Sequence, residues 1–371
     1  MRTRRHHSGV AGRVAMVAMA AALLACRGGD EPTGPGTDAA FARCVDPIAY
    51  WPTAGWRRTC PGAVGVDSAM LRAGLRHADV TMPSLRAFAV ARRGWLVAEM
   101  YRGMRAGDPV DLRSVTKAVT ATMVGAAVHA GSIDSTGQLL SELWPEYLVP
   151  PDDPRKARLR VEHLLDLTGG FMPNSSGTPN VDLVPAVLSR PMLEEPGTSW
   201  WYDEALYQIL PALVAKVDPR GPVAVARDDV FAPLGMAGAI RRWPVDALAR
   251  PWGAAGLELT VAEMLKIGEL YCRDGVWDGR RILPEDWVAE ITRRPPDAPG
   301  TATYWSRGWR QTMLEGHLVY YALGYAGQYI IVVPSLELVA VAGSYVRASG
   351  SRFPDVLGLM SGWIIPAIEQ G

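Results

Sequence analysis

Residues 114–130 read SVTKAVTATMVGAAVHA, small or apolar at nearly every position. A helix made from such a run has no polar face to turn to water, so the rest of the fold must surround it. It is short for a bilayer span, follows a charged loop and holds a lysine, and therefore predicts a core helix from Ser114 to about Ala130. Gly131 supplies its stop. Enclosing it takes a substantial core, which 371 residues, 49% of them apolar, can build; a disordered or fibrous chain is excluded.

The flanking segments say how the enclosure is made. DSAMLRAGLRHA (67–78) has helical apolar spacing behind an Asp that can cap it. RAFAVARRG and WLVAEMYRG predict two strands turning at Arg92-Arg93-Gly94. Residues from about 132 to 250 are helical in pattern, with Pro- and Gly-containing connections such as VPPDDPRKA and GGFMPNSSGTPN. From 305 to 346 the runs WSRGWRQTML, GHLVYYALG, GQYIIVVP and LELVAVAGSYV predict an antiparallel sheet, and a helix over 354–369 closes the chain. Strands at both ends with a helical block between them predict an α+β fold: one antiparallel sheet built from both chain ends, flanked by helices, with an inserted all-helical subdomain. The cleft is expected between sheet and block.

The opening of the chain has a different character. MRTRRHHSGVAGR and VAMVAMAAALLAC form a basic segment and then an apolar one of about a dozen residues, the pattern of an export signal over 1–25. Leu23-Leu24-Ala25-Cys26 resembles a bacterial lipobox, which implies lipidation at Cys26 and a chain held on a membrane by that anchor alone, at the periplasmic or extracellular face. Residues 26–40 read as a tether of Gly, Pro and small polar residues, and 41–371 as the folded body. In an oxidising compartment Cys44 and Cys60 are the expected disulfide, and Cys272 is expected to be a small buried hydrophobe. Once the four arginines of the leader are set aside, the remainder is about four charges negative, which excludes a nucleic-acid-binding surface as the chain's purpose.

The chemistry centres on Ser114 and Lys117. Positions i and i+3 share a helix face, so a serine in the first turn can set its hydroxyl beside the amine. An amine among apolar side chains loses the solvation that favours its charge and can take the hydroxyl proton, which an arginine cannot do. The chain holds only four lysines (117, 156, 216, 266) against 34 arginines, so a lysine here is notable. A second element is Pro196-Gly197-Thr198-Ser199-Trp200-Trp201-Tyr202-Asp203-Glu204, where a tyrosine just before a helix can shuttle a proton to a leaving group. A third is Ala322-Leu323-Gly324-Tyr325-Ala326-Gly327-Gln328, where glycines at a sheet edge admit a substrate close to free backbone N–H groups.

Taken in this order, the three elements resemble the serine β-lactamase and penicillin-binding protein superfamily, whose Ser-x-x-Lys signature Ser114–Lys117 matches. The likeness is to the class C-like branch, with its family VIII-type esterases, D-aminopeptidases and aminohexanoate-oligomer hydrolases. RVEHLLDLTGGF (160–171), AAGLELTVAEMLKIGELY (254–271) and GYAGQYIIVVPSLELVAV (324–341) extend it across roughly 65–369. The resemblance implies a β-lactamase/transpeptidase-like fold. It also implies an acylated Ser114, Lys117 as base and Tyr202 as shuttle, with the N–H groups of Ser114 and Tyr325 as oxyanion hole. Glu204, Gly324, Ala326, Gly327 and Gln328 are then expected to line the substrate site, with no metal and no cofactor.

Two departures bear on specificity. The family's Tyr-x-Asn is Tyr202-Asp203-Glu204 here, and its Lys-Thr-Gly or His-x-Gly element is replaced at Ala322-Leu323-Gly324. Those polar groups hold the amide and carboxylate of β-lactams and D-Ala-D-Ala peptides, so a small ester or linear amide is the expected substrate. A β-lactamase or D-Ala-D-Ala peptidase is the alternative, and a silent cell-wall-binding lipoprotein the alternative of another class. An α/β-hydrolase lacks its Gly-x-Ser-x-Gly elbow here, and a zinc hydrolase its His-Glu-x-x-His.

Overall fold

Asp67 accepts hydrogen bonds from the N–H groups of Ala69 and Met70 and so opens helix α1 (Ser68–Thr81). The predicted hairpin follows as β1 (Leu85–Arg92) and β2 (Trp95–Tyr101). Its two linking residues, Arg93 and Gly94, both have left-handed φ, 52° and 79°, the geometry of a two-residue turn that matches strand twist. The computed structural model describes residues 50–172, 182–293, 304–345 and 353–369.

The apolar run becomes a 3₁₀ turn, Arg113–Val115, continuing into helix α2 (Thr116–His129), which is buried at every position from Thr116 to Ala127. Its polar side chains are satisfied from within, Thr120 donating to the Gly253 carbonyl at 2.7 Å and Thr122 to that of Ala118 at 2.8 Å. Gly131, φ 76°, ends the run as expected.

Residues 132–250 form many short helices among those described, such as Leu183–Leu188 and Leu210–Val217. Pro145, Pro211 and Pro222 each open a new helix, because a ring that lacks an N–H and clashes with the preceding turn is tolerated only in a first turn. One of these helices is α3 (Glu204–Gln208), capped by Asp203. A two-stranded ladder, Val110–Asp111 with Glu258–Leu259, ties the two ends of the block together beside α2. Helix α4 (Val261–Cys272), opened by a reciprocal Thr260–Glu263 capping box, then lies along the sheet.

Five strands complete that sheet: β3 (Tyr304–Ser306), β4 (Trp309–Leu314), β5 (His317–Gly324), β6 (Gln328–Val333) and β7 (Leu338–Ser344). The order is β2-β1-β7-β6-β5-β4-β3, antiparallel throughout, with the first hairpin joined to the last strand through pairs such as Phe88 with Ala342. Alternation then divides the side chains. Ala87, Ala89, Ile330 and Val341 pack under the helical block, and Phe88, Val90, Ile331 and Ala340 under α1 and the C-terminal helix. Each such Val or Ile contributes about 1.5–3 kcal/mol by leaving water. The C-terminal helix runs from Val356 to Glu369 with a π turn at Met360–Ile364.

Cys60 is disulfide-bonded, while Cys26 and Cys44 lie outside the described residues. Cys272 is a free thiol at the end of α4, and burial pushes it up to about 12, which keeps it protonated and unreactive.

Candidate active site

Three segments converge on Ser114. The first is its own turn. Arg113, φ 50°, takes a conformation unusual for a residue with a Cβ, and Asp111 holds it there by accepting from the Arg113 N–H at 2.9 Å and pairing with its Nε at 3.1 Å. The next residue is Ser114, at the mouth of the buried helix. Lys117, one turn on, is fully buried. Its Nζ reaches Ser114 Oγ at 3.1 Å, Glu204 Oε1 at 3.1 Å and the Ala254 carbonyl at 2.8 Å. The wholly apolar surround expected for this amine is therefore not what the fold supplies. The stem lies among apolar neighbours, but the tip meets a carboxylate and a carbonyl, as an amine removed from water requires.

The second segment is the loop 196–204. The Tyr202 hydroxyl donates to Ser114 Oγ at 2.9 Å, and its ring lies with its centroid 5.0 Å from Lys117 Nζ. Trp305 packs edge-on against the same ring at 5.8 Å. Glu204 Oε1, besides its pair with Lys117, stands 3.5 Å from Ser114 Oγ, the outer limit of a hydrogen bond. The loop is held from behind. The Asp203 carboxylate is buried and pairs at 2.7 Å with Arg190, itself buried and stacked over Phe171. Gly197, φ 87°, sits over His163, whose Nδ1 accepts from the Arg160 N–H at 3.1 Å. Burial, and then the nearby Arg160 charge, push the His163 imidazole down to about 4.

The third segment follows β5. A Cβ on Gly324 would lie 2.3 Å from the Leu112 carbonyl oxygen, so only glycine lets this turn reach the residues preceding Ser114. Tyr325 follows, exposed and edge-on to Phe353 at 5.2 Å. Ala326, Gly327 and Gln328, expected among the substrate contacts, are instead buried. The Gln328 amide bonds both the N–H and the carbonyl of Ser344, at 2.8 and 2.9 Å, and Gly327 packs against Pro354. The turn fixes where Tyr325 stands; Ala326 and Gly327 are buried, and the Gln328 amide is tied to Ser344.

Several contributors carry no sequence signal of their own. The Ala254 carbonyl and Arg190 act through placement alone. Gly308 admits the β3–β4 turn to within 2.8 Å of the Ala118 backbone, measured from where its Cβ would stand. A separate cleft of about 410 Å³ opens beside Arg113, lined by Arg86, Asp108, Asp111, Gln328 and Tyr345 among others, but Ser114, Lys117 and Tyr202 do not line it. Among the described residues no three His, Cys, Asp or Glu side chains converge as a metal site.

A serine, a buried lysine one helical turn on and a tyrosine within hydrogen-bond reach, at the junction of an antiparallel sheet and a helical block, define a class, and comparison agrees. Residues 79–348 match the Beta-lactamase family, and the chain belongs to it. Solved structures share the fold at low identity. A candidate 6-aminohexanoate-dimer hydrolase from Bacillus anthracis superposes with a TM-score of 0.60 at 18% identity, over 80% of this chain and 81% of that one. A family VIII carboxylesterase gives 0.59 at 18%, over 82% and 96%. A class C β-lactamase from Rhodobacter sphaeroides gives 0.59 at 15%, over 80% and 99%.

Proposed function

We propose that the protein is a serine hydrolase that cleaves small esters or linear amides through a covalent acyl-enzyme. The observation that carries this reading is the convergence on Ser114 Oγ of Lys117 Nζ at 3.1 Å and Tyr202 OH at 2.9 Å. Ser114 attacks the carbonyl carbon, the lysine side takes its proton, and Tyr202 hands a proton to the departing alcohol or amine. The backbone N–H groups of Ser114 and Tyr325 receive the oxyanion.

Esters and linear amides are favoured over β-lactams by what stands around this centre. The strand position that carries a cation in the family's penicillin-recognising members holds Ala322-Leu323-Gly324, and a carboxylate, Glu204, has been added. A carboxylated substrate meets no compensating charge there, and Glu204 occupies the nearby Lys117 amine as its own partner. Trp200, Trp201 and Trp305 beside Tyr202 offer aromatic faces to an apolar acyl or alcohol portion. The leader and Cys26 suit export and a lipid anchor on a bacterial membrane, at its periplasmic or extracellular face.

The test is intact mass after treatment with a fluorophosphonate, with Ser114→Ala and Lys117→Ala alongside, followed by turnover of a p-nitrophenyl ester, nitrocefin and a D-Ala-D-Ala peptide. One adduct, lost in Ser114→Ala, with ester turnover above the other two and depressed on the order of a thousandfold in Lys117→Ala, supports the reading. Preferred turnover of nitrocefin or the peptide would instead make it a β-lactamase or peptidase. No adduct and no turnover would leave a cell-wall-binding protein.

A further inference from the structure

Lys117 presents a problem that its own contacts pose. An ammonium has three protons and no acceptor capacity. Here its nitrogen meets three acceptors: Ser114 Oγ, the Ala254 carbonyl and Glu204 Oε1. In that state it cannot take the Ser114 proton until it has given one up. The Ala254 carbonyl does not accept a proton at accessible cost, and Ser114 is the group waiting to lose one. Glu204 remains, at 3.1 Å, and its Oε1 also lies 3.5 Å from Ser114 Oγ. The Asn of the resembling family could orient the lysine at this position but could not store its proton.

We infer that Glu204 is a catalytic residue, the proton reservoir of the base, an inference that rests on the acyl-enzyme reading above. Lys117 passes one proton to Glu204 Oε1 and becomes the free amine. Ser114 Oγ forms its bond to the carbonyl carbon as its own proton moves to Lys117 Nζ, and the carbonyl π pair becomes the oxyanion. Collapse breaks the bond to the leaving group, which departs with the Tyr202 hydroxyl proton; Lys117 then restores Tyr202. The acyl-enzyme is left with a neutral amine and a protonated Glu204. Water attacks it with its proton going to the amine, collapse returns that proton to Ser114, and Glu204 gives the stored proton back to Lys117 as the acid product ionises.

The experiment is kcat and KM for a p-nitrophenyl ester from pH 5 to 10, with the full chain and its E204Q, E204N and E204D variants, each checked by thermal unfolding. Gln keeps size and hydrogen bonding, Asn restores the family's amide, and Asp keeps a shortened acceptor. The expected result is a fall of about a hundredfold in kcat for Gln and Asn with KM little changed. Asp should recover about tenfold of it, a rescue that a packing role would not produce. E204Q turnover equal to wild type across the range, or E204N turnover above it, would overturn the role of Glu204 and leave the serine hydrolase standing. A wild-type chain with neither turnover nor a Ser114 adduct would sink both.

Discussion

The two sides of the candidate site are built to opposite rules. The floor, Leu112 to Thr120, is buried at nearly every residue, its backbone clamped between the glycine turns at 308 and 324. The lip, Trp200 to Glu204, exposes 44% of Trp200 and 48% of Trp201, and turns on the Asp203 carboxylate, which both pairs with buried Arg190 and caps the helix that follows. Yet each side is chemically incomplete. The floor supplies the hydroxyl and the amine, and the lip supplies the phenol and the carboxylate that touch them. Packing fixes one half, and electrostatics fixes the half that a substrate must displace or slide past.

The contrast breaks most severely at Arg190. Arg190→Met removes the cation but fills its space, leaving the Asp203 carboxylate buried and uncompensated directly between Tyr202 and Glu204. Breaking a buried pair on one side costs about 3–5 kcal/mol. Denaturant unfolding should show that loss, whereas the double variant Arg190→Met, Asp203→Asn should recover much of it. If the single variant unfolds like wild type, the lip is held by its aromatics instead.

Much of this division was legible in the sequence, and unevenly. The core helix, the hairpin at Arg92-Arg93-Gly94 and the closing strands follow from apolar run length and period-2 alternation, which depend only on near neighbours along the chain. Ser114, Lys117 and Tyr202 were readable because they lie in motifs with local grammar. The scarcity of lysine was a weaker guide than it looked: Lys156 and Lys266 are buried too, against the carbonyls of Leu188 and Leu234, so rarity marks buried amines in general. The bonding of Gln328 to Ser344 was not readable, because a glycine-rich turn beside a site looks the same whichever way its side chains point. Arg190, Ala254 and Gly308 were invisible because each acts through a partner that no spacing specifies.

A smaller effect separates chemistry from packing at the tyrosine. Tyr202→Phe keeps the ring against Trp305 and over Lys117 and removes only the hydroxyl that reaches Ser114. If that hydroxyl serves the leaving group, kcat on esters falls about a hundredfold with unfolding unchanged, and the loss shrinks for leaving groups that need no proton. A uniform loss across leaving groups would make Tyr202 an orienting residue for Ser114.

The mildest test concerns what lies beneath the lip. His163 accepts from the Arg160 N–H and supports Gly197, so it must stay neutral to do both. Its folded value near 4, against the ordinary 6.5, means the folded chain binds fewer protons than the unfolded chain between those limits. Stability from this group is therefore fully present above pH 6.5 and is lost as pH falls towards 4. His163→Asn offers an acceptor oxygen that does not titrate. Unfolding free energy measured from pH 4 to 7 should rise with pH less steeply in the variant, by under about one proton because the ring is partly exposed and solvent moderates its shift. Ester turnover should retain more of its neutral-pH value at pH 5. Equal slopes in the two proteins would mean that the lip stands without His163, and would make the Arg190 substitution the one that decides whether the lip holds.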